Sequence, residues 1–425
     1  MVFKAYDVRG IYPKEINEEF AFNFGKALAK YFDSDTVAVA RDGRLSSDSL
    51  FEKLCDGINL EGKNVVNLGL ISTPAAYFAL INLKIPGVII TASHNPKEYN
   101  GFKVVDEKLM PVDKESGLLK IKELMTQSSK NATGGIINFD LALEYEKFLN
   151  KFKDKQKDLK IVVDQSNGSS HLESAYLKKH FNATILNSEV DGNFPGHDPD
   201  PFKKTSIDFV SKKVIESNAD IGIIFDGDGD RAVFIDEKGN PLRPEIAMCL
   251  FAKKGPILYD VRCSLSLRDV AKENNVKSYM IKAGRSFFIR EMKPKNAFYG
   301  VEGSGHYFFK EFENFDSAII MILKVLSALS NSNKKLSELT KSFSRYHHSS
   351  EVNFKVKSRD EAIEKIKQSF KPKKLVEIDG VSLYLDDFWL NIRKSNTEPV
   401  IRINAEANSK QKVDNVIKKI KEILK

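Results

Sequence analysis

Short apolar-centred runs rich in β-branched residues recur along the first three quarters of this chain, at residues 36–40, 64–68, 86–90, 160–164 and 221–225. Continuous apolarity of this length predicts strands covered on both faces. Between them lie longer stretches whose apolar positions repeat with helical spacing, such as residues 17–31, 46–59 and 74–83. Strand alternating with helix predicts mostly parallel sheets. The polar, breaker-rich segment 127–135 interrupts the pattern, which resumes after a helix at 139–148. A third round places strands at 255–260, 276–281 and 297–300. Beyond it the texture changes: strand-like segments at 352–356, 374–378, 381–384, 389–393 and 400–406 follow one another and end in a basic helix. That predicts a small domain with an antiparallel sheet. The expected architecture is α/β, with four domains around a central cleft at residues 1–140, 141–238, 239–345 and 346–425.

Length and composition narrow the class. A chain of 425 residues is too long for one core, and 42% hydrophobic with 29% charged residues is a soluble, globular balance. No run approaches the roughly 18 apolar residues of a membrane helix. The segment from Met1 to Gly10 turns polar too early for an export signal, so a cytoplasmic location is expected. Cys55, Cys249 and Cys263 are few and far apart, which fits neither a disulfide framework nor a zinc knuckle. The formal charge of +8 is spread over helices that also carry acids, so no nucleic-acid partner is expected. A basic cleft that attracts a small phosphorylated substrate needs only a few of these charges.

The chemistry sits where strands end, as open α/β sheets require. After residues 86–90 come Thr91-Ala92-Ser93-His94-Asn95-Pro96. Ser93 is a candidate nucleophile or phosphate carrier, although serine also punctuates turns. His94 and Asn95 can orient phosphate oxygens, and Lys103 can return to the same mouth as a charge or proton relay, or lie on a solvated strand. After residues 221–225 come Asp226, Asp228 and Asp230, spaced by glycines, so that three carboxylates can meet one hard cation. Mg²⁺ suits this set. A calcium helix-loop-helix would match Asp226, Asp228, Asp230 and Glu237 but needs glycine where Arg231 stands; a metal-free acidic turn is the other alternative. Arg9, Arg41 and Arg44 are phosphate forks or surface ion pairs, and Arg231 can offset charge on a transferring phosphoryl group. Lys282 and Arg285 add positive charge. Glu302, Ser304 and His306 suit adjacent sugar hydroxyls, with His306 able to carry a proton. Arg393, Ser395, Asn396 and Thr397, with Arg402 on the following strand, form a donor-rich set suited to a phosphate that does not react.

Taken in order, these blocks resemble the α-D-phosphohexomutase family, in particular its phosphomannomutase/phosphoglucomutase members, over the full length of the chain. The resemblance implies phosphorylation of Ser93, Mg²⁺ on Ser93, Asp226, Asp228 and Asp230, and catalytic parts for Arg9, Lys103, Arg231 and His306. It implies transfer between the 1- and 6-positions of mannose or glucose phosphate through a hexose 1,6-bisphosphate, which also serves as activator, in a monomer or homodimer. Phe194-Pro195-Gly196-His197-Asp198-Pro199 would be structural. Val301-Glu302-Gly303-Ser304-Gly305-His306 lacks the methionine of the family's usual Gly-Glu-Met-Ser-Gly-His, Arg285 stands where histidine is frequent, and Asp164-Gln165-Ser166-Asn167 varies the usual Asp-X-Ala/Thr-Asn. Phosphoglucosamine mutase is the alternative within the fold; a Mg²⁺ phosphatase and a non-catalytic sugar-phosphate binder are the alternatives outside it.

Overall fold

The computed structural model describes residues 2–153, 158–395 and 400–424. The first sheet contains β1 (Val8–Ile11), β2 (Thr36–Arg41), β3 (Asn64–Leu70), β4 (Gly87–Ile90), β5 (Tyr99–Val105) and β6 (Ile136–Asn138), in the order β1-β5-β4-β2-β3-β6. From β4 to β6 the neighbours are parallel; β5 and β1 return antiparallel at one edge. Helices α1 (Glu18–Tyr31) and α2 (Ser47–Leu60) cover one face and α3 (Thr73–Leu83) the other. The two-residue period of a strand shows why its whole length is apolar: Val37 and Val39 join the core under α1 and α2, while Ala38 and Ala40 join the core under α3.

The second sheet is built from β7 (Lys160–Asp164), β8 (Asn182–Leu186), β9 (Ile221–Phe225), β10 (Ala232–Asp236) and β11 (Pro241–Leu242). Its order is β11-β10-β9-β7-β8, with β8, β7 and β9 parallel and β10 folded back on β9 as a hairpin. The third, from β12 (Ile257–Asp260), β13 (Ser278–Ile281), β14 (Tyr299–Val301) and β15 (Tyr307–Phe309), has a parallel trio and one antiparallel edge. One continuous core runs from the α3 face of the first sheet through the second and third.

The fourth sheet joins β16 (His347–His348), β17 (Val352–Lys355), β18 (Lys374–Val376), β19 (Val381–Tyr384), β20 (Phe388–Lys394) and β21 (Val400–Ala407), all antiparallel. It is closed by helices Arg359–Phe370 and Lys410–Ile423 over a core of its own. The chain is thus four α/β domains, the first three with mostly parallel sheets and the fourth smaller and antiparallel.

Periodicity missed β1 and, although it allowed a strand around Lys103, missed that β5 returns antiparallel on β4. In β5, Asn100, Gly101 and Lys103 break the apolar run, yet all three are buried, because their polar groups meet partners from other segments.

Candidate active site

The loop after β4 holds Ser93 at φ 52°, in the left-handed region. A side chain stays there only when its surroundings over-determine it. Thr91 Oγ1 accepts from Ser93 N–H at 2.8 Å, and the Arg44 guanidinium donates to the carbonyls of Ser93, Asn95 and Pro96, each at 2.7 Å, and of Tyr99 at 2.9 Å. Arg44 is therefore no phosphate fork. Four of its N–H groups are consumed by these carbonyls and the fifth, Nε–H, by Asp42 at 3.2 Å. Arg41 ion-pairs with Asp48 and covers the Phe51 ring, a local arrangement.

The Ser93 hydroxyl donates to Asp226 Oδ2 at 2.8 Å. Asp226, Asp228 and Asp230 ride the turn between β9 and β10, and all three are fully buried. Two glycines make the approach possible: Gly229 has φ 72°, and a Cβ on Gly227 would lie 2.6 Å from the Ser93 carbonyl oxygen. The flanks are antiparallel strands, which removes the helix-loop-helix alternative, and Glu237 accepts from Ser337 N–H at 3.1 Å instead of joining the loop.

Charge in this loop is divided. Lys103 Nζ lies 2.5 Å from Asp228 Oδ2 and 2.6 Å from Asp230 Oδ2. Burial alone would strip its proton, but the two carboxylates outweigh that and raise its pKa. Burial likewise pushes Asp230 up, yet Lys103 and His306 hold it well below the usual range. Asp226 is driven well above that range by burial and then by Asp230 and Asp228. Asp228 Oδ1 is buried with no hydrogen-bond partner among the described residues, and Asp230 Oδ1 faces only the His306 ring at 3.3 Å and Arg231 at 4.0 Å. One ligand atom from each of the three carboxylates falls within 4.8 Å of the others. A crowded, buried acidic set with a hard oxygen left over fits a divalent cation.

The loop after β14 brings in Glu302 and His306. Glu302 accepts from Gly284 N–H at 2.7 Å and from Arg262 at 3.2 Å. Burial opposes its ionisation, but His306 and Arg262 lower its pKa to about 2. His306 lies with Nδ1 3.0 Å from Glu302 Oε2 and Nε2 3.3 Å from Asp230 Oδ1. Burial pulls it down, Asp230 and Glu302 carry it up, and it rests at about 9. His94 is held neutral by Arg231 and by burial.

A cavity of about 540 Å³ collects these groups, a volume in the range of small-ligand sites. Ser93, His94, Lys103, Asp230 and Arg231 line its floor; Arg9, Arg285, Glu302, Ser304 and His306 its sides; Arg393, Ser395 and Arg402 its far wall. Asp226 and Asp228 stand behind the floor. Asn95 serves indirectly, accepting from Arg9 Nη1 at 2.7 Å. Lys282 is exposed over the Phe287 ring and outside the lining, because the chain turns at Gly284 before Arg285 points inward. Asn396 and Thr397 lie outside the described residues. Arg393 and Arg402 are directly opposite in the β20/β21 ladder. They share Glu351, at 2.5 and 3.6 Å, Arg393 also lies 3.7 Å from Asp379, and each keeps a buried Nε–H without a hydrogen-bond partner among the described residues.

Sequence reasoning missed Arg262, Tyr6 and Asp316. Arg262 follows the end of β12 and ion-pairs with Asp260 and Glu302; the strand-end rule that selected Ser93 would have found it. The Tyr6 hydroxyl donates to Ala283 carbonyl at 3.0 Å, tying the first domain to the third. Asp316 is buried beside His306, at 3.9 Å, and neither of its oxygens has a hydrogen-bond partner among the described residues; no motif announces it.

Comparison with known proteins agrees along the whole chain. The four phosphoglucomutase/phosphomannomutase domain models match it: alpha/beta/alpha domain I at residues 1–132, domain II at 143–239, domain III at 246–346 and the C-terminal domain at 351–423. It is 38% identical to a phosphomannomutase of Methanocaldococcus jannaschii, covering 100% of this chain and 97% of that one. It is 34% identical to a phosphomannomutase/phosphoglucomutase of Pseudomonas syringae pv. tomato, covering 98% and 93%. A crystal structure of a phosphoglucomutase/phosphomannomutase family protein from Burkholderia thailandensis superposes with a TM-score of 0.91 at 29% identity, over 100% and 96% of the two chains.

Proposed function

Given that this chain belongs to the phosphoglucomutase/phosphomannomutase family and is a phosphohexomutase, an enzyme of reversible intramolecular phosphoryl transfer, we propose that it interconverts the 1- and 6-phosphates of mannose, glucose or both through Ser93. The observation that carries this reading is one cavity with a buried hydroxyl and acidic loop at one end and, at the other, two arginines whose Nε–H groups have no hydrogen-bond partner among the described residues. One end suits the phosphoryl group that moves, the other the phosphate that is held.

In this reading Asp226, Asp228 and Asp230, with Ser93, hold Mg²⁺, which supplies positive charge at the transferring phosphoryl group. Arg393 and Arg402 grip the sugar's own phosphate. Glu302 and Ser304 take adjacent ring hydroxyls; Arg9, His94 and Arg285 surround phosphate oxygens. The free sugar hydroxyl attacks phosphorus as the bond to Ser93 Oγ breaks; the protonated His306 gives a proton toward the departing Ser93 Oγ and recovers one from the attacking hydroxyl, so the protons balance. Lys103, committed to two carboxylates, keeps their geometry and charge, and Arg231 faces the transferring group. The bisphosphate then turns over and returns its other phosphate to Ser93. A fourth domain with its own core can close over the cavity and exclude water.

None of the described helices is long and apolar enough to cross a membrane. A cytoplasmic site of action is part of the proposal, supported by three buried, unpaired cysteines, as is a monomer or homodimer with a small-molecule substrate. Direct competition among mannose 1-phosphate, glucose 1-phosphate and glucosamine 1-phosphate tests the substrate class. A clear preference for the amino sugar, or release of inorganic phosphate in place of a bisphosphate, would overturn the reading.

A further inference from the structure

Behind the acidic loop, α3 begins with Ser72 and Thr73, residues of the first domain that touch the second. Ser72 is the local cap: its hydroxyl accepts from Ala75 N–H at 3.1 Å and donates to the buried Glu173. That leaves Thr73 free of the duty a threonine at a helix start usually has. Its hydroxyl donates to Asp228 Oδ2 at 2.7 Å, and its backbone N–H, one of the donors a first helical turn leaves over, goes to the Asp228 carbonyl at 2.8 Å. Lys103 Nζ reaches the same hydroxyl at 3.4 Å, so the oxygen receives from the lysine and gives to the aspartate. Both Thr73 and Asp228 are fully buried.

We infer that Thr73 is a positioning residue for the cation loop: it fixes the rotation of the Asp228 carboxylate from one side, so that Oδ1, which has no hydrogen-bond partner among the described residues, faces the site. The inference rests on the reading of Asp226, Asp228 and Asp230 as cation ligands. Two bonds to one residue, one from the main chain and one from the side chain, define both where Asp228 sits and how it is turned. The loop is seated on the same helix start from the other side, since a Cβ on Gly229 would lie 3.2 Å from the Ser72 Cβ. Groups that orient a metal ligand typically change metal affinity or activity by about 10- to 100-fold when removed.

Thr73→Val keeps the shape and deletes the donor. Mn²⁺ titration of the purified full-length protein, followed by electron paramagnetic resonance, should show binding weakened by about 10-fold or more. The Mg²⁺ concentration for half-maximal rate should rise in parallel, while KM for the sugar phosphate stays put, because its contacts lie on other loops. Thr73→Ser, which retains the hydroxyl, should restore Mn²⁺ binding to within about 3-fold of the parent. Parental Mn²⁺ affinity in Thr73→Val, or equal weakening in Thr73→Ser, would overturn the inference. If Thr73→Val does not fold, Thr73→Ser against Thr73→Ala is read by the same two outcomes. Asp228→Asn separates the two levels of the argument: unchanged Mn²⁺ binding there would reject the cation loop itself, whereas loss there with parental binding in Thr73→Val rejects only the role of Thr73.

Discussion

At the Ser93 end of the cavity the charged groups are already bound to one another, whereas at the fourth-domain end they are held partly in reserve. Lys103, Asp228 and Asp230 are at most 6% exposed in their side chains and make contacts of 2.5 and 2.6 Å. Arg402 is 36% exposed and shares Glu351 with Arg393, whose only other carboxylate among the described residues is Asp379 at 3.7 Å. The first arrangement costs much desolvation and is worthwhile only where geometry must be exact to a fraction of an ångström. The second leaves donors for a ligand that must bind, let go and bind again in the other orientation. The cores follow the same division: the acidic end grows from the core common to three sheets, and the arginine end from a separate one.

The sharpest way to break this comparison is at Ser93. Ser93→Ala should remove serine phosphorylation and lower turnover by roughly 10⁴-fold or more, since a nucleophile that acts as part of a unit takes most of the rate with it. Mass spectrometry of the intact protein and a coupled assay check both; retained turnover would mean that phosphate does not pass through this hydroxyl.

Lys103→Met tests whether the acidic end depends on internal pairing. Removing one partner of a buried ionic cluster costs about 3–5 kcal/mol, and unfolding in urea with EDTA should show it. Millimolar Mg²⁺ should recover part of the loss by supplying charge to the same carboxylates. Equal stability of variant and parent in EDTA would show that Asp228 and Asp230 do not need the lysine.

How much of this was legible beforehand differs between the two ends. The cation turn could be read because its signal is local: alternating aspartates and glycines at the end of an apolar run. Lys103 could be placed on a strand but not assigned a partner, since its contact with Asp228 spans 125 positions and depends on β5 folding back on β4. Arg44 misled for a related reason: its type suits phosphate, and only the turned path of residues 93–99 reveals four carbonyls around it. Arg393 and Arg402 were grouped from sequence, yet that they face each other follows from the β20/β21 register alone.

Arg393→Ala sharpens the comparison from the other end. It should raise KM for the sugar phosphate by about 10- to 100-fold while phosphorylation of Ser93 by a bisphosphate donor is reduced less, because a charge-assisted pair to a bound anion contributes about 1.5–3 kcal/mol. A loss confined to kcat would move Arg393 to the reacting end.

The smallest expected effect concerns an ion pair outside the cavity, and it separates paired charge as such from paired charge that serves the site. His197 Nε2 lies 2.7 Å from Asp164 Oδ2, while Asp164 Oδ1 accepts from Ser166 N–H at 2.8 Å and from Asn187 at 3.0 Å. Burial draws the His197 pKa down, but Asp164 outweighs it and the net shift is upward from 6.5. A histidine whose folded pKa is raised contributes stability that is fully present below the unfolded pKa and is lost as pH rises through the folded one. His197→Gln should therefore be less stable than the parent in urea unfolding at pH 5.5. The gap should narrow as pH is raised from 6.5 through the folded value, while kcat near neutrality changes little. A gap that widened with pH would mean that the neutral imidazole is the form this loop prefers.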